Sequence, residues 1–153
     1  MKLSPAWSTH LPVLSKIMSM SKGPVLELGS GIFSTPFLYW MSKHQNREFH
    51  SYDNDPKYAE RLVGFGVKIV DKWNEIDIDN IHWGVVFIDH HPAQRRRIDA
   101  YRLRNKADFI IIHDSNGTEY EWEKLYPHFK YQYNYKKARP NTTILSNICE
   151  IKL

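Results

Sequence analysis

Cysteine is almost absent. Cys149 stands alone among 153 residues, so no intramolecular disulfide can form, which fits a reducing compartment. No apolar run reaches the roughly 20 residues that span a bilayer. The N-terminus has no long apolar core ahead of a small-residue cleavage site. No membrane contact and no secretory signal are therefore expected, and a cytoplasmic location is. On that reading the acceptor patterns Asn116-Gly117-Thr118 and Asn141-Thr142-Thr143 are chance. Repeats, linkers and low-complexity segments are missing as well. Charge of one sign is in only mild excess, at a formal +4, so a nucleic-acid partner is not expected. The densest basic stretch is Arg95-Arg96-Arg97 with Arg102, Arg104 and Lys106. It reads as the solvated face of a helix whose Ile98 and Tyr101 turn to the interior. What is present is core-forming material: 42% hydrophobic and 14% aromatic residues, enough for one domain over residues 1–153.

The apolar pattern alternates between strand and helix. Residues 4–20 carry Trp7, Leu11, Leu14, Ile17 and Met18 near helical spacing, interrupted at Pro12; residues 1–21 form a helical cap over the sheet or the site. Strands are expected at 25–28, 49–52, 66–70, 83–88 and 107–112. The fourth is apolar without alternation, as a strand buried on both faces should be. Thr35-Pro36, Asp55-Pro56 and Pro92 mark helix starts, and Thr118 with Glu121 fits a capping box. Near the C-terminus the period falls to two. Phe129, Tyr131, Tyr133 and Tyr135 alternate with polar residues, and residues 128–149 read as a β-hairpin. The alternation alone gives an α/β fold.

The stretch Val25-Leu26-Glu27-Leu28-Gly29-Ser30-Gly31 organises the rest. A strand ends in an acid, and a two-glycine turn leads into a helix near Ser34. Glycine permits both the turn and close approach of backbone to a ligand. A dinucleotide-binding turn wants a third glycine, and that place holds Ser34. Glu27-Leu28-Gly29-Ser30-Gly31 resembles the first motif of class I S-adenosylmethionine-dependent methyltransferases. The resemblance, with the layout, covers residues 23–149. It implies a doubly wound, mostly parallel seven-stranded sheet of order 3-2-1-4-5-7-6, strand 7 antiparallel, with helices on both faces. It implies S-adenosylmethionine as cofactor, with Glu27 near its ammonium and Gly29, Ser30, Gly31 and Ser34 around its methionine and ribose part. Asp53 and Asn54 would receive the ribose, Trp73 would cover the adenine, and Asp89 would sit at the pocket floor near the methyl.

Four acids, Glu27, Asp53, Asp89 and Asp114, stand at strand ends, where ligands of a doubly wound sheet bind. Methyl transfer needs in-line placement and, for a hydroxyl acceptor, removal of a proton. Asp89, His91 and Asp114 are the expected catalytic residues; His91 or His113 suits a base by intrinsic pKa, and His91 is chosen because it stands just beyond the strand on the loop facing the acceptor. Some metal-assisted O-methyltransferases of this family place an acid at Asp89 and an acid-plus-amide pair after the fifth strand. Here Ser115 replaces the amide. No metal is expected; Asp89 and Asp114 are the positions a divalent ion would use. The reading is an enzyme that O-methylates a small-molecule acceptor, with a homo-oligomer left open. The rivals are another adenosylmethionine-using enzyme, such as an aminopropyl transferase or a hydrolase, and a non-catalytic adenosylmethionine-binding module. A nicotinamide-binding protein is the weaker third.

Overall fold

A computed structural model describes residues 3–118 and 120–153. Seven strands form one sheet: β1 Val25–Leu28, β2 Phe49–Asp53, β3 Val67–Ile69, β4 Trp83–Ile88, β5 Ala107–Ile112, β6 Tyr131–Tyr135 and β7 Thr142–Ser146. Their order is β3-β2-β1-β4-β5-β7-β6. The first five pair in parallel, while β7 runs antiparallel to β5 and to β6. The order expected from the resemblance is thus the order found. Between β1 and β4 the chain reverses its direction of winding, which opens a crevice beyond the strand ends.

Period-two alternation sorts the central strands onto two faces. Leu26, Leu28, Val86, Ile88, Ile110 and Ile112 pack with Trp73, Trp83, Tyr120 and Leu125 on one face. Ala100 and Leu103 of α4 (Ala93–Leu103) close that layer. Val25, Val85, Phe87, Phe109 and Ile111 pack on the other face against Val13, Leu14, Ile17 and Met18 of α1 (Leu11–Met20) and Leu38 of α2 (Ser34–His44). No helix among the described residues is long and apolar enough to cross a membrane.

The N-terminal helical pattern resolves into a 3-10 turn over Pro5–Ser8 and then α1, with Pro12 in its first turn, where its missing N–H costs nothing. Asp55 caps α3 (Pro56–Glu60) by accepting from Lys57 N. That helix is short, so Leu62 is buried while Val63 is 83% exposed.

Two expectations fail. Glu121 takes a left-handed conformation (φ 47°) ahead of the short α5 (Trp122–Leu125), so the capping box with Thr118 does not form. In α4 the inner face is not Ile98 and Tyr101, which are 46% and 41% exposed, but Arg96, Asp99, Ala100 and Leu103. Buried partners for the two charged side chains explain the inversion.

Candidate functional site

The strand ends open on a cleft of about 800 Å³. Gly29, Ser30, Gly31, Ser34, Asp53 and Asn54 line one half, and Asp89, His90, His91, Arg96, His113 and Asp114 the other. The Pro5–Ser8 turn adds Ala6 and Trp7, the start of α1 His10, and the loop before β7 Pro140.

The first half is built around two carboxylates, Asp53 and Glu27. Gly29 has φ +93°, and a Cβ there would overlap the backbone of Asp89 and His90. Only glycine lets the turn press against the end of β4. Asp53 Oδ2 accepts from Ser30 N (2.7 Å) and Ser30 Oγ (2.6 Å), while Oδ1 accepts from Asp55 N (2.8 Å). Beneath the turn, Glu27 Oε2 accepts from Thr35 Oγ1 (2.7 Å) and from Ser51 Oγ (2.5 Å), its register partner on β2. Thr35 Oγ1 in turn accepts from Gly31 N at 2.9 Å. Thr35 therefore serves the turn from inside instead of capping α2. Burial pushes the Glu27 carboxyl up to about 7, against the hydrogen bonds from Ser34, Ser51 and Thr35 that favour its charge.

The second half is built around Arg96. Its Nε donates to His90 O (2.7 Å), its Nη2 to Asp89 O (3.0 Å), and its Nη1 to His113 O (3.1 Å) and Tyr120 Oη (3.0 Å). Nη1 also lies 2.9 Å from Asp89 Oδ1 and 3.6 Å from Asp114 Oδ2. One guanidinium thus ties the ends of β4 and β5 together and offsets one of the two carboxylate charges between them. Burial alone would raise Asp89, but the His113 hydrogen bond and the charges of His113 and Arg96 hold it below the usual carboxylate range. His113 is itself fixed, Nδ1 at 3.1 Å from Asp89 Oδ2 and Nε2 at 2.9 Å from Thr9 Oγ1. Asp99, inside α4, pairs with His90 Nε2 (2.9 Å) and receives two hydrogen bonds from Arg95. The basic stretch is therefore a set of staples: Arg102 likewise holds Asp79 and the carbonyls of Trp73 and Ile76.

Gly29, Ser30, Gly31, Ser34, Asp53, Asn54, Asp89, His91 and Asp114 are brought together around the cleft. Glu27 and Trp73 do not line it. Glu27 is fully buried one layer below, on the α2 side of the sheet, because its strand position faces that way. Trp73 is core. Its Nε1 donates to His91 O (3.0 Å), and its ring lies 4.3 Å from that of His90. His91 is exposed at the rim. Asp89, His113 and Asp114 offer ligand atoms within 4.8 Å of one another. Both Asp89 oxygens are already engaged, however, by Arg96 and His113. An ion there would have to displace a bound guanidinium.

Thr9, His10 and Arg96 escaped the sequence reading. Arg96 looked like one surface arginine of three, and the alternative signal was the Ile98/Tyr101 face that burial inverts.

No protein-family model matches the chain, and no curated protein does. Solved structures do. The Podospora anserina methyltransferase PaMTH1, bound to S-adenosylhomocysteine, aligns with a TM-score of 0.60 at 10% identity, over 94% of this chain and 79% of that one. A human methyltransferase 10 domain containing protein aligns at 0.58 and 12% identity, over 95% and 84%. M. capricolum TrmK, in complex with S-adenosylhomocysteine, aligns at 0.51 and 10% identity, over 92% and 70%. With its strand order, antiparallel β7 and glycine turn at the switch point, the chain has the class I methyltransferase fold.

Proposed function

We propose that the chain is an S-adenosylmethionine-dependent methyltransferase acting on a hydroxyl of a small-molecule acceptor. The observation that carries the reading is the Gly29–Gly31 turn, pinned from below by Glu27 and Thr35 and from the side by Asp53, at the mouth of the cleft. The residues present fit the cofactor. Ser30 and Gly31 would meet its methionine part, and Asp53 and Asn54 its ribose. Asp53 keeps lone pairs to accept from ribose hydroxyls while holding Ser30. Glu27 would act through the turn it supports. When bound, the sulfonium supplies an electrophilic methyl group.

The chain's part is to place the acceptor and take its proton. Asp89 and His113 are held by Arg96 and Thr9, so they shape the floor of the cleft and its field. His91 stands outside that network at the rim and is the base. Asp114, held loosely at 3.6 Å from Arg96, faces the acceptor side.

Calorimetry should show S-adenosylhomocysteine binding and no binding of NAD; preference for NAD would overturn the reading. In an acceptor panel, His91→Ala should lose about 10²–10⁴-fold in turnover with cofactor affinity unchanged. Full turnover with lowered thermal stability would make His91 a structural residue only.

A further inference from the structure

Positive charge is matched over most of the chain and bare in one place. In and around α4, Arg95 pairs with Asp99, Arg97 with Glu121, and Arg102 and Lys106 with Asp79. The turn between β6 and β7 is different. Lys136, Lys137 and Arg139 are exposed there, and no ion pair or hydrogen bond joins any of their side chains to another described residue. Lys16, Lys22 and Lys57 are also unpaired, but they stand singly.

Topology puts this turn at the cleft. Ile112, at the end of β5, is in register with Thr143 of β7, and Thr142 with Tyr135 at the end of β6. The turn therefore rises from the same sheet edge as Asp89 and Asp114, on the side away from β1 and β2. Its base is fixed there. Thr9 Oγ1 lies 3.0 Å from Pro140 O, Asn141 N donates to Asn116 Oδ1 (3.0 Å), and Ser115 N donates to Asn141 O (3.0 Å). Pro140 itself lines the cleft. Three cations thus stand at the rim beside the acceptor half.

The floor has the opposite sign. Arg96 offsets one charge of the Asp89 and Asp114 pair, and the Asp114 carboxylate, 47% exposed, is 3.6 Å from Arg96, too far for a hydrogen bond. An anionic group on the acceptor is repelled by the floor and drawn to the turn. Three cations within four residues suit one group with about two charges and three acceptor oxygens, a phosphate monoester. A nucleic-acid strand needs a continued track of cations. The next one along β6 is Lys130, roughly 20 Å away at strand spacing, and it lies over the Tyr131 ring.

We propose that the β6–β7 turn is a phosphate subsite for the acceptor. The substrate class is a small hydroxylated phosphate monoester, its phosphate on Lys136, Lys137 and Arg139 and its hydroxyl turned into the cleft. The proposal rests on the methyltransferase reading and names its substrate class.

The test uses the full chain saturated with S-adenosylhomocysteine, at constant ionic strength in chloride, with backbone amides followed by NMR. The probes are inorganic phosphate, hydroxyalkyl phosphates of about two to six carbons, chosen to span strand-end to turn, the matching hydroxyalkyl carboxylates, and a single-stranded oligoribonucleotide. Inorganic phosphate is expected to move the amides of Lys136, Lys137 and Arg139 only. At least one hydroxyalkyl phosphate is expected to move these and Asp114 together. The triple variant Lys136→Gln, Lys137→Gln, Arg139→Gln should weaken that binding about tenfold with S-adenosylhomocysteine affinity unchanged. If the triple variant does not fold, Lys137→Gln alone takes its place and should weaken binding about two- to fivefold. Turn amides unmoved by phosphate overturn the proposal. Movement confined to the turn for every chain length overturns the link to the acceptor. Equal movement by the carboxylates overturns the choice of phosphate, and tighter binding of the oligoribonucleotide overturns the choice of a small molecule. Failure of S-adenosylhomocysteine to bind overturns the parent reading, and does so before any probe is added.

Discussion

The two halves of the cleft are made by different means. Around β1 and β2 the site is shaped by hydroxyl and backbone N–H groups donating to two carboxylates: Thr35 and Ser51 to Glu27, Ser30 to Asp53. Around β4 and β5 the shape depends on one arginine reaching across from α4 and one threonine reaching back from the N-terminal turn. The first half is a rigid cradle of short hydroxyl and carboxylate bonds. The second is a charged junction whose parts depend on each other. A cradle fails one contact at a time, whereas a junction fails as a unit.

Substitutions can break that contrast at its extremes. Gly29→Ala should cost the most, because its Cβ meets backbone at a positive φ and neither strand can yield. A loss of more than about 4 kcal/mol in chemical denaturation, or failure to fold, is expected. Arg96→Met should cost about 3–5 kcal/mol, since it leaves Asp89 and three strand-end carbonyls without their cation. Were it to cost under 1 kcal/mol, the junction would not be a unit.

In the cradle, Asp53→Asn should weaken S-adenosylhomocysteine binding by about 1–3 kcal/mol in calorimetry. An unchanged affinity would leave Asp53 as a turn-holder only.

The finest comparison is in pH. His10 binds its proton near pH 6.5 when unfolded and near 3 when folded, so its contribution is complete above 6.5 and drains as pH falls toward 3. Glu27 has the opposite sign. Its carboxyl ionises near 4.5 unfolded and near 7 folded, so its contribution is complete below 4.5 and is lost as pH rises through 7. Each slope is at most about 1.4 kcal/mol per pH unit. Melting temperatures from pH 3 to 8 should flatten on the acid side in His10→Phe and on the neutral side in Glu27→Gln. No change of slope in either variant would remove that residue from the balance.

The contrast also explains what the sequence made legible. Strand positions were readable because β1, β4 and β5 are apolar runs bounded by turns, and β4 and β5 fall on the expected residues. The cradle was readable because Glu27 to Gly31 is contiguous and Asp53 lies at a fixed remove. The junction was not. Arg96 sits among Arg95 and Arg97 with nothing in the chain to single it out, and Thr9 meets His113 across 104 positions. Helical periodicity placed Ile98 and Tyr101 inward because it weighs apolarity, and it has no measure of a buried acid waiting for an arginine. Trp73 was assigned to the cleft by position after β3, yet its indole N–H found the His91 carbonyl and its ring the core.

Thr9 carries a consequence for motion. Its hydroxyl oxygen lies 2.9 Å from His113 Nε2 and 3.0 Å from the Pro140 carbonyl, a latch between the N-terminal segment and the strand ends. Arg96 holds the opposite wall with a whole fan of bonds. Releasing one hydroxyl costs little beside unseating a buried guanidinium. Opening the cleft on the side of the N-terminal turn breaks fewer hydrogen bonds than opening it at the floor.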